Sequence, residues 1–258
     1  MTTGVVLVVP GGVEDEMAPS GGNIYDQRIR DGLASAGIGV RQIAVAGTWP
    51  QPAEAARAEL ARSLDSLPDG AVVLLDGLVA CGVPEVVVPR VARLRLAVLV
   101  HMPLADDVGL PGDVAAELDR RERETLVAAA AVVATSEATA RRLVDWHGLG
   151  SVDVVPPGVD HAPLSSGSET GSEVLCVGSV APLKGQDVLV EAMAGLADLA
   201  WHCRCVGPPR DLEFTGGLNG RIEQLGLADR IQLIGPRTRK QLAQLYADSD
   251  LLVLPSRA

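Results

Sequence analysis

Residues 173–187 read EVLCVGSVAPLKGQD, a short apolar run followed by a loop and the start of an amphipathic segment. The run at 174–177 predicts a buried strand that ends at Gly178, and Lys184 and Gly185 open a segment with apolar residues at helical spacing. A glycine at a strand end lets a ligand approach the backbone, and a helix start offers free N–H groups and a positive dipole end. The spacing fits a phosphate cradle or an ordinary strand–turn–helix, because a single Gly…Lys-Gly is a weak signal.

The residues up to position 256 carry further markers in a fixed order. In chain order they are Gly178, Lys184-Gly185, Asp187, Glu191-Ala192, Val206-Gly207, Leu225-Gly226-Leu227, Asp229-Arg230, Gly235, Leu245-Tyr246, Asp250 and Pro255-Ser256. This ordered set resembles the nucleotide-sugar-binding domain of the retaining glycosyltransferases of family 4, which have the GT-B fold. The resemblance covers nearly all of residues 173–256. It implies transfer of a sugar from a UDP- or GDP-linked donor to a hydroxyl acceptor, with retention.

The composition narrows the class of protein. The 258 residues are 47% apolar but only 2% aromatic, so the core must be built from Val, Leu and Ala, as in buried parallel sheets. The formal net charge of −11 argues against a nucleic-acid partner and against binding to anionic lipid by bulk charge. The N-terminus lacks the pattern of a signal peptide, and no apolar run is long enough to span a membrane.

The four cysteines show no metal-ligand spacing. They are Cys81, Cys176, Cys203 and Cys205, with no C-x-x-C pair and no histidine at ligand spacing. Two of them lie in apolar, strand-like runs, where cysteine behaves as a small hydrophobe. We expect reduced core thiols in a cytoplasmic protein.

Predicted strands and helices alternate through residues 1–160, which indicates an α/β, doubly wound parallel sheet. The alternation resumes with strands near Val174, Trp201, Ile231 and Leu251. We therefore predict two Rossmann-like domains, the GT-B arrangement, with the second incomplete. The predicted boundaries are residues 1–164 for the acceptor-side domain, the Gly/Ser-rich segment 165–172 as a linker, and residues 173–258 for a partial nucleotide-sugar-binding domain.

Ligands of open α/β sheets gather at the carboxyl ends of the strands, where the first domain offers three candidates. Gly21 and Gly22 lie in the loop before a helix predicted to begin at Asn23, and they either contact a ligand through the backbone or make a flexible loop. His101 ends a predicted strand, where it either contacts a sugar hydroxyl or bonds to nearby backbone. The resemblance favours the ligand role for all three, since family members carry a Gly-Gly pair and a sugar-contacting histidine at such places.

In the second domain we expect Gly178, Ser179, Lys184 and Gly185 to form the diphosphate site, with Lys184 stabilising the charge that grows on the leaving group. The family commonly has an arginine directly after the glycine, where this chain has Ser179, which supplies one hydrogen bond but no charge. Arg237, in a Gly-Pro-Arg turn after a predicted strand, is a candidate for that missing duty.

The candidate catalytic residues are His101 and Lys184, and the remaining candidates bind the donor. No catalytic triad, metal-binding cluster or carboxylate pair stands out in the sequence, so we expect a transferase that needs no metal and works by positioning and electrostatics. Two alternatives remain open. One is a nucleotide-sugar epimerase, which would need acid/base carboxylates beside His101, and the other is a non-catalytic nucleotide-binding protein of the same fold.

The carboxyl end leads to a last expectation. The apolar run at 251–255 predicts a strand, and residues 256–258 begin the loop after it. In the family this loop precedes a segment with two glutamates that bind the sugar and ribose of the donor. We therefore expect the chain to be a fragment that is inactive alone, with residues 173–258 only marginally stable, because an incomplete sheet exposes strand edges.

Overall fold

The computed structural model describes residues 4–14, 20–107 and 109–257. The chain forms two compact units, which divide between Val159 and Asp160. Residues 165–172, predicted as a linker, hydrogen-bond within the second unit: the Ser168 hydroxyl and the Glu173 N–H both donate to Asp250 Oδ2, at 2.6 and 2.8 Å. These bonds lower the pKa of the Asp250 carboxyl.

The first unit is built around a six-stranded parallel sheet in the order β2-β1-β3-β4-β5-β6. The strands are β1 (Val5–Pro10), β2 (Val40–Val45), β3 (Val72–Asp76), β4 (Arg95–Val100), β5 (Ala131–Ala134) and β6 (Asp153–Val154). The helices are α1 (Gly21–Ser35), α2 (Glu54–Asp65), α3 (Gly77–Gly82), α4 (Pro84–Val87), α5 (Gly112–Ala128) and α6 (Glu137–His147). The core of this sheet is built from leucine and valine, including the fully buried Val8, Leu75 and Val98, as the aromatic-poor composition predicts.

The second unit has a four-stranded parallel sheet in the order β10-β7-β8-β9. Its strands are β7 (Glu173–Val177), β8 (His202–Val206), β9 (Ile231–Gly235) and β10 (Leu251–Leu252), each at a predicted position. Its helices are α7 (Gln186–Ala194), α8 (Leu212–Gln224) and α9 (Arg239–Ala247), and a 3-10 turn, Pro182–Lys184, precedes α7. The prediction of two α/β, Rossmann-like sheets is confirmed.

Both strand orders reverse direction at one place, and this is where ligands of doubly wound sheets bind. In the first sheet the reversal lies between β1 and β3, and in the second it lies between β7 and β10. The chain segments that leave these strands at their carboxyl ends contain the predicted site residues at 21, 22, 178, 179, 184 and 185.

One predicted helix start was wrong. The first helix begins at Gly21 rather than Asn23, because the Ser20 hydroxyl accepts a hydrogen bond from the Asn23 N–H at 3.0 Å and so acts as the N-cap. On α5, a helix rich in charged residues, Glu122 is buried against His147 with 3.0 Å between the carboxylate and the imidazole.

The four cysteines are buried and free, as expected. Within the described part of the chain, no helix has the length and apolar character needed to cross a membrane. Residues 15–19 of the loop predicted after β1 lie outside the described residues.

Candidate functional site

His101 lies at the carboxyl edge of the first sheet between two carboxylates. Asp76 is the last residue of β3, His101 follows β4, and Asp26 lies on α1, which the chain enters after β1. The His101 Nε2 atom is 3.1 Å from Asp26 Oδ1 and 3.4 Å from Asp76 Oδ2. The strand reversal between β1 and β3 thus brings three titratable side chains into one cluster.

Burial gives this cluster unusual proton affinities. Burial raises the pKa of Asp26 to about 6; the Asp76 charge adds to the shift, and hydrogen bonding to His101 opposes it. Burial also lowers the pKa of His101, but hydrogen bonds to Asp26 and Asp76 outweigh it and raise the pKa to about 9. The raised pKa favours the protonated imidazole at neutral pH, whose Nε2–H donates to Asp26 Oδ1 with Asp76 Oδ2 close by.

The ring of His101 is also fixed by its neighbours. Tyr25 packs edge-on against it, with ring centroids 5.3 Å apart, while the Tyr25 hydroxyl donates to the Val155 carbonyl at 2.7 Å. A methyl group at Gly22 would lie 3.4 Å from the imidazole Cδ2, whereas a methyl group at Gly21 would meet open space. Gly22 therefore contacts His101 from the first turn of α1, and the structure gives Gly21 no comparable constraint.

A cavity of about 320 Å³ opens beside the cluster. Its lining is amphipathic, with six polar residues, five aliphatic residues, two prolines and one glycine. They are Ser20, Gly22, Asn23, Pro50, Gln51, Asp76, Leu78, His101, Met102, Pro103, Leu104, Asp107, Leu110 and Leu118. The volume is at the lower end of the range for small-molecule sites. Asp106, the other acidic residue of this loop, is paired with Arg142 on α6.

Asp26, Asp76 and His101 also have the donor set of a metal site, with ligand atoms within 4.8 Å of one another. Asp26 Oδ2 is buried and has no hydrogen-bond partner in the described structure. A metal would have to displace the Nε2 proton, because imidazole ligates only in its neutral form. The cluster can therefore hold a proton or a cation, but not both at His101.

This cluster was not predicted from the sequence, and the expectation that no carboxylate pair stands out was wrong. Asp26 and Asp76 are 50 positions apart, and one lies on a helix while the other ends a strand. Asp76 was recognisable as the end of a buried strand, which was a usable signal for the ligand edge. Asp26 had no signal of its own, since its position one turn into α1 depends on where that helix begins.

At the ligand edge of the second sheet, adjacent strands end in glycines. The Gly178 N–H donates to the Val206 carbonyl at 2.9 Å, and the Gly207 N–H donates to the Gly235 carbonyl at 3.1 Å. A methyl group at Gly207 would lie 2.1 Å from the Gly178 carbonyl oxygen, so a side chain cannot fit there without a backbone shift. We call Gly178, Gly207 and Gly235 the glycine edge.

Lys184 stands beside this glycine edge. A methyl group at Gly178 would lie 3.6 Å from both Cγ and Cδ of Lys184, so the aliphatic part of the lysine crosses the face of that glycine. Lys184 is half-buried, and no ion pair among the described residues involves its ammonium group. Its charge is available at a backbone surface that lacks side chains, next to the start of α7.

The loop that carries Lys184 is held by the residues after β10. Gly185 has φ +65°, and a methyl group there would lie 2.1 Å from the Pro255 carbonyl oxygen. The Arg257 guanidinium makes a bidentate ion pair with Asp187, with N–O distances of 2.9 and 2.6 Å. The Arg257 backbone N–H donates to the Leu183 carbonyl at 2.8 Å. The ion pair lowers the pKa of Asp187. This role of Arg257 was not predicted from the sequence.

The two remaining candidates have weaker structural support. The Ser179 carbonyl accepts a hydrogen bond from Gln186 Nε2 at 2.9 Å, which joins the strand end to α7. Arg237 donates to the neighbouring Pro236 carbonyl at 2.8 Å. It follows β9, which lies two strand spacings, roughly 10 Å, from β7. A contact of Arg237 with the same phosphate as Lys184 stays a prediction.

Comparisons with known proteins agree with this architecture. Residues 165–258 match the family model described as glycosyl transferases group 1. Two D-inositol 3-phosphate glycosyltransferases, from Mycolicibacterium gilvum and Nocardiopsis dassonvillei, are 30% and 32% identical over 150 and 163 residues, or 52% and 53% of this chain. The chain spans about a third of the length of these curated relatives, 34% and 37%.

Solved structures share the fold along nearly the whole chain. A sucrose-phosphate synthase from Thermosynechococcus elongatus has a TM-score of 0.74 at 18% identity, covering 97% of this chain and 75% of its own. Anabaena HepE, solved in complex with UDP and glucose, has a TM-score of 0.69 at 18% identity, covering 99% and 75%. Residues 165–258 are therefore similar to the glycosyl transferases group 1, and the two α/β units share the fold of these solved structures.

Proposed function

We propose that the chain transfers a sugar from a nucleoside diphosphate sugar to a hydroxyl acceptor. The observation that carries this proposal is Lys184 beside the glycine edge, at the strand reversal of the unit that matches the family model. A glycosyl transfer of this kind breaks the bond between the sugar C1 and the diphosphate oxygen. The diphosphate leaves with the electron pair, and the acceptor oxygen forms the new bond and loses its proton.

The donor side follows from electrostatics. The growing negative charge of the leaving diphosphate meets the Lys184 ammonium, and the N–H groups at the start of α7 add the positive end of a helix dipole. The bare backbone at Gly178 and Gly207 permits close approach of the phosphate oxygens. The UDP complexes of Anabaena HepE support a nucleoside diphosphate as the ligand of this fold, and UDP or GDP is our proposal for this chain.

The acceptor side is proposed for the first unit. Its cavity beside His101 offers hydrogen-bonding groups to a hydroxyl, and the clustered carboxylates fix the orientation of the imidazole. His101 acts here as a positioning and hydrogen-bonding group, because its raised pKa makes it a poor proton acceptor at neutral pH. The leaving phosphate is the base that takes the acceptor proton. Retention of configuration and independence of a metal are parts of the same proposal.

Nucleotide binding by the two lysine variants tests the donor site. The chain has only two lysines, and Lys240 is exposed on α9, so Lys240→Ala is a matched control for Lys184→Ala. At a UDP or GDP concentration of about 100 Kd, ligand linkage should stabilise the wild type by about 2.7 kcal/mol, measured as a rise in melting temperature. We expect Lys184→Ala to lose most of this rise and Lys240→Ala to keep it. Equal losses, or no rise in the wild type with either nucleotide, would reject the proposal.

The cluster around His101 gives one reason to test a second candidate, a nucleotide-sugar epimerase. Such an enzyme needs acid/base carboxylates beside a histidine, and Asp26 and Asp76 supply that chemistry. Incubation with a UDP-sugar and no acceptor separates the two candidates. Conversion of the UDP-sugar into an epimer in the absence of an acceptor would establish the epimerase, and consumption of the donor only after a hydroxyl compound is added would establish the transferase.

A further inference from the structure

The cavity of the first unit has a lining that restricts the chemistry of its occupant. None of its lining residues is a lysine or an arginine, although the chain has 22 of these residues in total. The charges available in the cavity wall are therefore those of Asp76, His101 and Asp107.

The single positive charge of this wall is already neutralised. The His101 imidazolium is bracketed by Asp26 and Asp76 at 3.1 and 3.4 Å, and Asp107 contributes a further carboxylate to the lining. Arg142 on α6 is engaged by Asp106 and stacks on Trp146, with its guanidinium carbon 3.7 Å from the ring centroid. An anionic group that entered this cavity would face carboxylates without a free counter-charge, which disfavours its binding.

Two apolar side chains of the lining are exposed to solvent. Leu78 is 41% exposed and Met102 is 42% exposed, and both line the cavity together with Leu104, Leu110 and Leu118. Leu78 lies two residues after Asp76, and Met102 directly follows His101, so hydrogen-bonding and apolar surface alternate within the cavity wall. An occupant that covers both kinds of surface would remove exposed apolar area from water.

We propose that this cavity binds an uncharged acceptor, a sugar or polyol head that carries an alkyl or aryl substituent, and that it rejects a phosphorylated acceptor. The proposal rests on the transferase function given above and names its acceptor class. It separates this chain from its relatives, whose name specifies D-inositol 3-phosphate. The head hydrogen-bonds to polar residues such as Asn23, Gln51 and Asp76, and the substituent packs on Leu78 and Met102.

Direct binding to the full chain, measured by calorimetry in the absence of nucleotide, tests this class. The probes are methyl β-glucoside, octyl β-glucoside below its micellar concentration, and D-inositol 3-phosphate. Burial of a few methylene groups should make octyl glucoside bind at least about tenfold more tightly than methyl glucoside. D-inositol 3-phosphate should show no measurable binding.

Substitutions assign the preference to this cavity. Leu78→Ser and Met102→Ser should each reduce the ratio of octyl to methyl affinity by several-fold, whereas Val127→Ser, at a side chain 61% exposed outside the cavity, should not change it. Leu78→Arg should create measurable binding of D-inositol 3-phosphate, because it adds the missing cation. Far-UV circular dichroism and the melting temperature verify that each variant is folded.

Three results would overturn the inference: D-inositol 3-phosphate binding to the wild type, equal affinities for the two glucosides, or no binding of either glucoside. The nucleotide titration with Lys184→Ala is a separate measurement on the other unit. A wild type that fails to bind nucleotide but prefers octyl glucoside would reject the transferase and keep the cavity chemistry. A wild type that binds nucleotide through Lys184 and binds D-inositol 3-phosphate would do the reverse.

Discussion

Both units have candidate ligand-binding groups at the carboxyl edge of a parallel sheet, but these groups differ in kind. The first unit uses side chains, with Asp26, Asp76 and His101 buried in one cluster beside a cavity. The second unit uses backbone, with glycines at the ends of its strands and one lysine beside them. In both units the strand order determines where a ligand binds. The residues at the strand ends determine which chemical groups that ligand contacts.

The largest effect is expected at Gly207, where the glycine edge has no room for a side chain. Gly207→Ala places a methyl group 2.1 Å from the Gly178 carbonyl oxygen, so a strand end must move. We expect the second unit to lose about 3 kcal/mol of unfolding free energy in denaturant titrations and nucleotide binding to disappear.

The matched control is Gly216→Ala, an exposed position inside α8 where a methyl group meets open space. It should stabilise the same unit by about 0.5–1 kcal/mol, because alanine favours the helix. Similar effects of the two substitutions would show that the glycine edge is not constrained as described.

The next effect is a pH dependence of stability that arises from the cluster of Asp26, Asp76 and His101 in the first unit. The folded pKa of His101, about 9, is above the unfolded value of 6.5. Its contribution to stability is therefore complete below pH 6.5 and is lost as the pH rises through 9, at most about 3 kcal/mol. We expect the unfolding free energy of the first unit to decrease over this range. The fluorescence of Trp49 and Trp146 reports the unfolding of this unit.

His101→Gln should flatten that pH dependence, because the titrating group is gone. Asp26 shifts in the other window: burial raises its pKa from 3.8 to about 6, so ionisation between these values costs the folded state stability as the pH rises. Asp26→Asn should remove this lower step and reduce the pKa of His101, as measured by NMR of the imidazole. An unchanged upper step in His101→Gln would contradict the assignment.

The smallest effect concerns the support of Lys184. Arg257 and Asp187 are more than a third exposed, so Arg257→Ala should cost less than about 1 kcal/mol of stability. We expect UDP or GDP affinity to fall several-fold, because the loop 182–187 loses its ion pair with Arg257 and the hydrogen bond from the guanidinium to the Pro182 carbonyl. Arg221→Ala breaks a comparable exposed pair with Glu191 between α8 and α7, and it should leave nucleotide affinity unchanged.

The sequence predicted the features that depend on neighbouring residues. Apolar runs located the strands of both sheets, and the run from Gly178 to Lys184 located the edge of the second sheet, because strand, loop and helix start are contiguous there. The cluster of Asp26, Asp76 and His101 could not be predicted in this way. It brings together residues up to 75 positions apart, and it depends on an N-cap at Ser20 that also moves Gly22 into a helix.

The support from Arg257 was equally hidden, because its ion pair with Asp187 joins residues 70 positions apart that follow β10 and β7. The order of those two strands in the sheet is what brings the residues together. Sequence patterns therefore predicted some of the residues at each sheet edge. The other residues reach the edge through the pairing of non-consecutive strands, which the patterns do not show.

Amide hydrogen exchange with and without nucleotide locates the donor site. We expect saturating UDP or GDP to slow exchange at residues 178–188 and at Gly207, because the phosphates cover the glycine edge and the start of α7. We expect no comparable protection in Lys184→Ala and retained protection in Lys240→Ala. Protection by nucleotide at the Asp26–His101 cluster of the first unit, with none at residues 178–188, would contradict a donor site at the glycine edge.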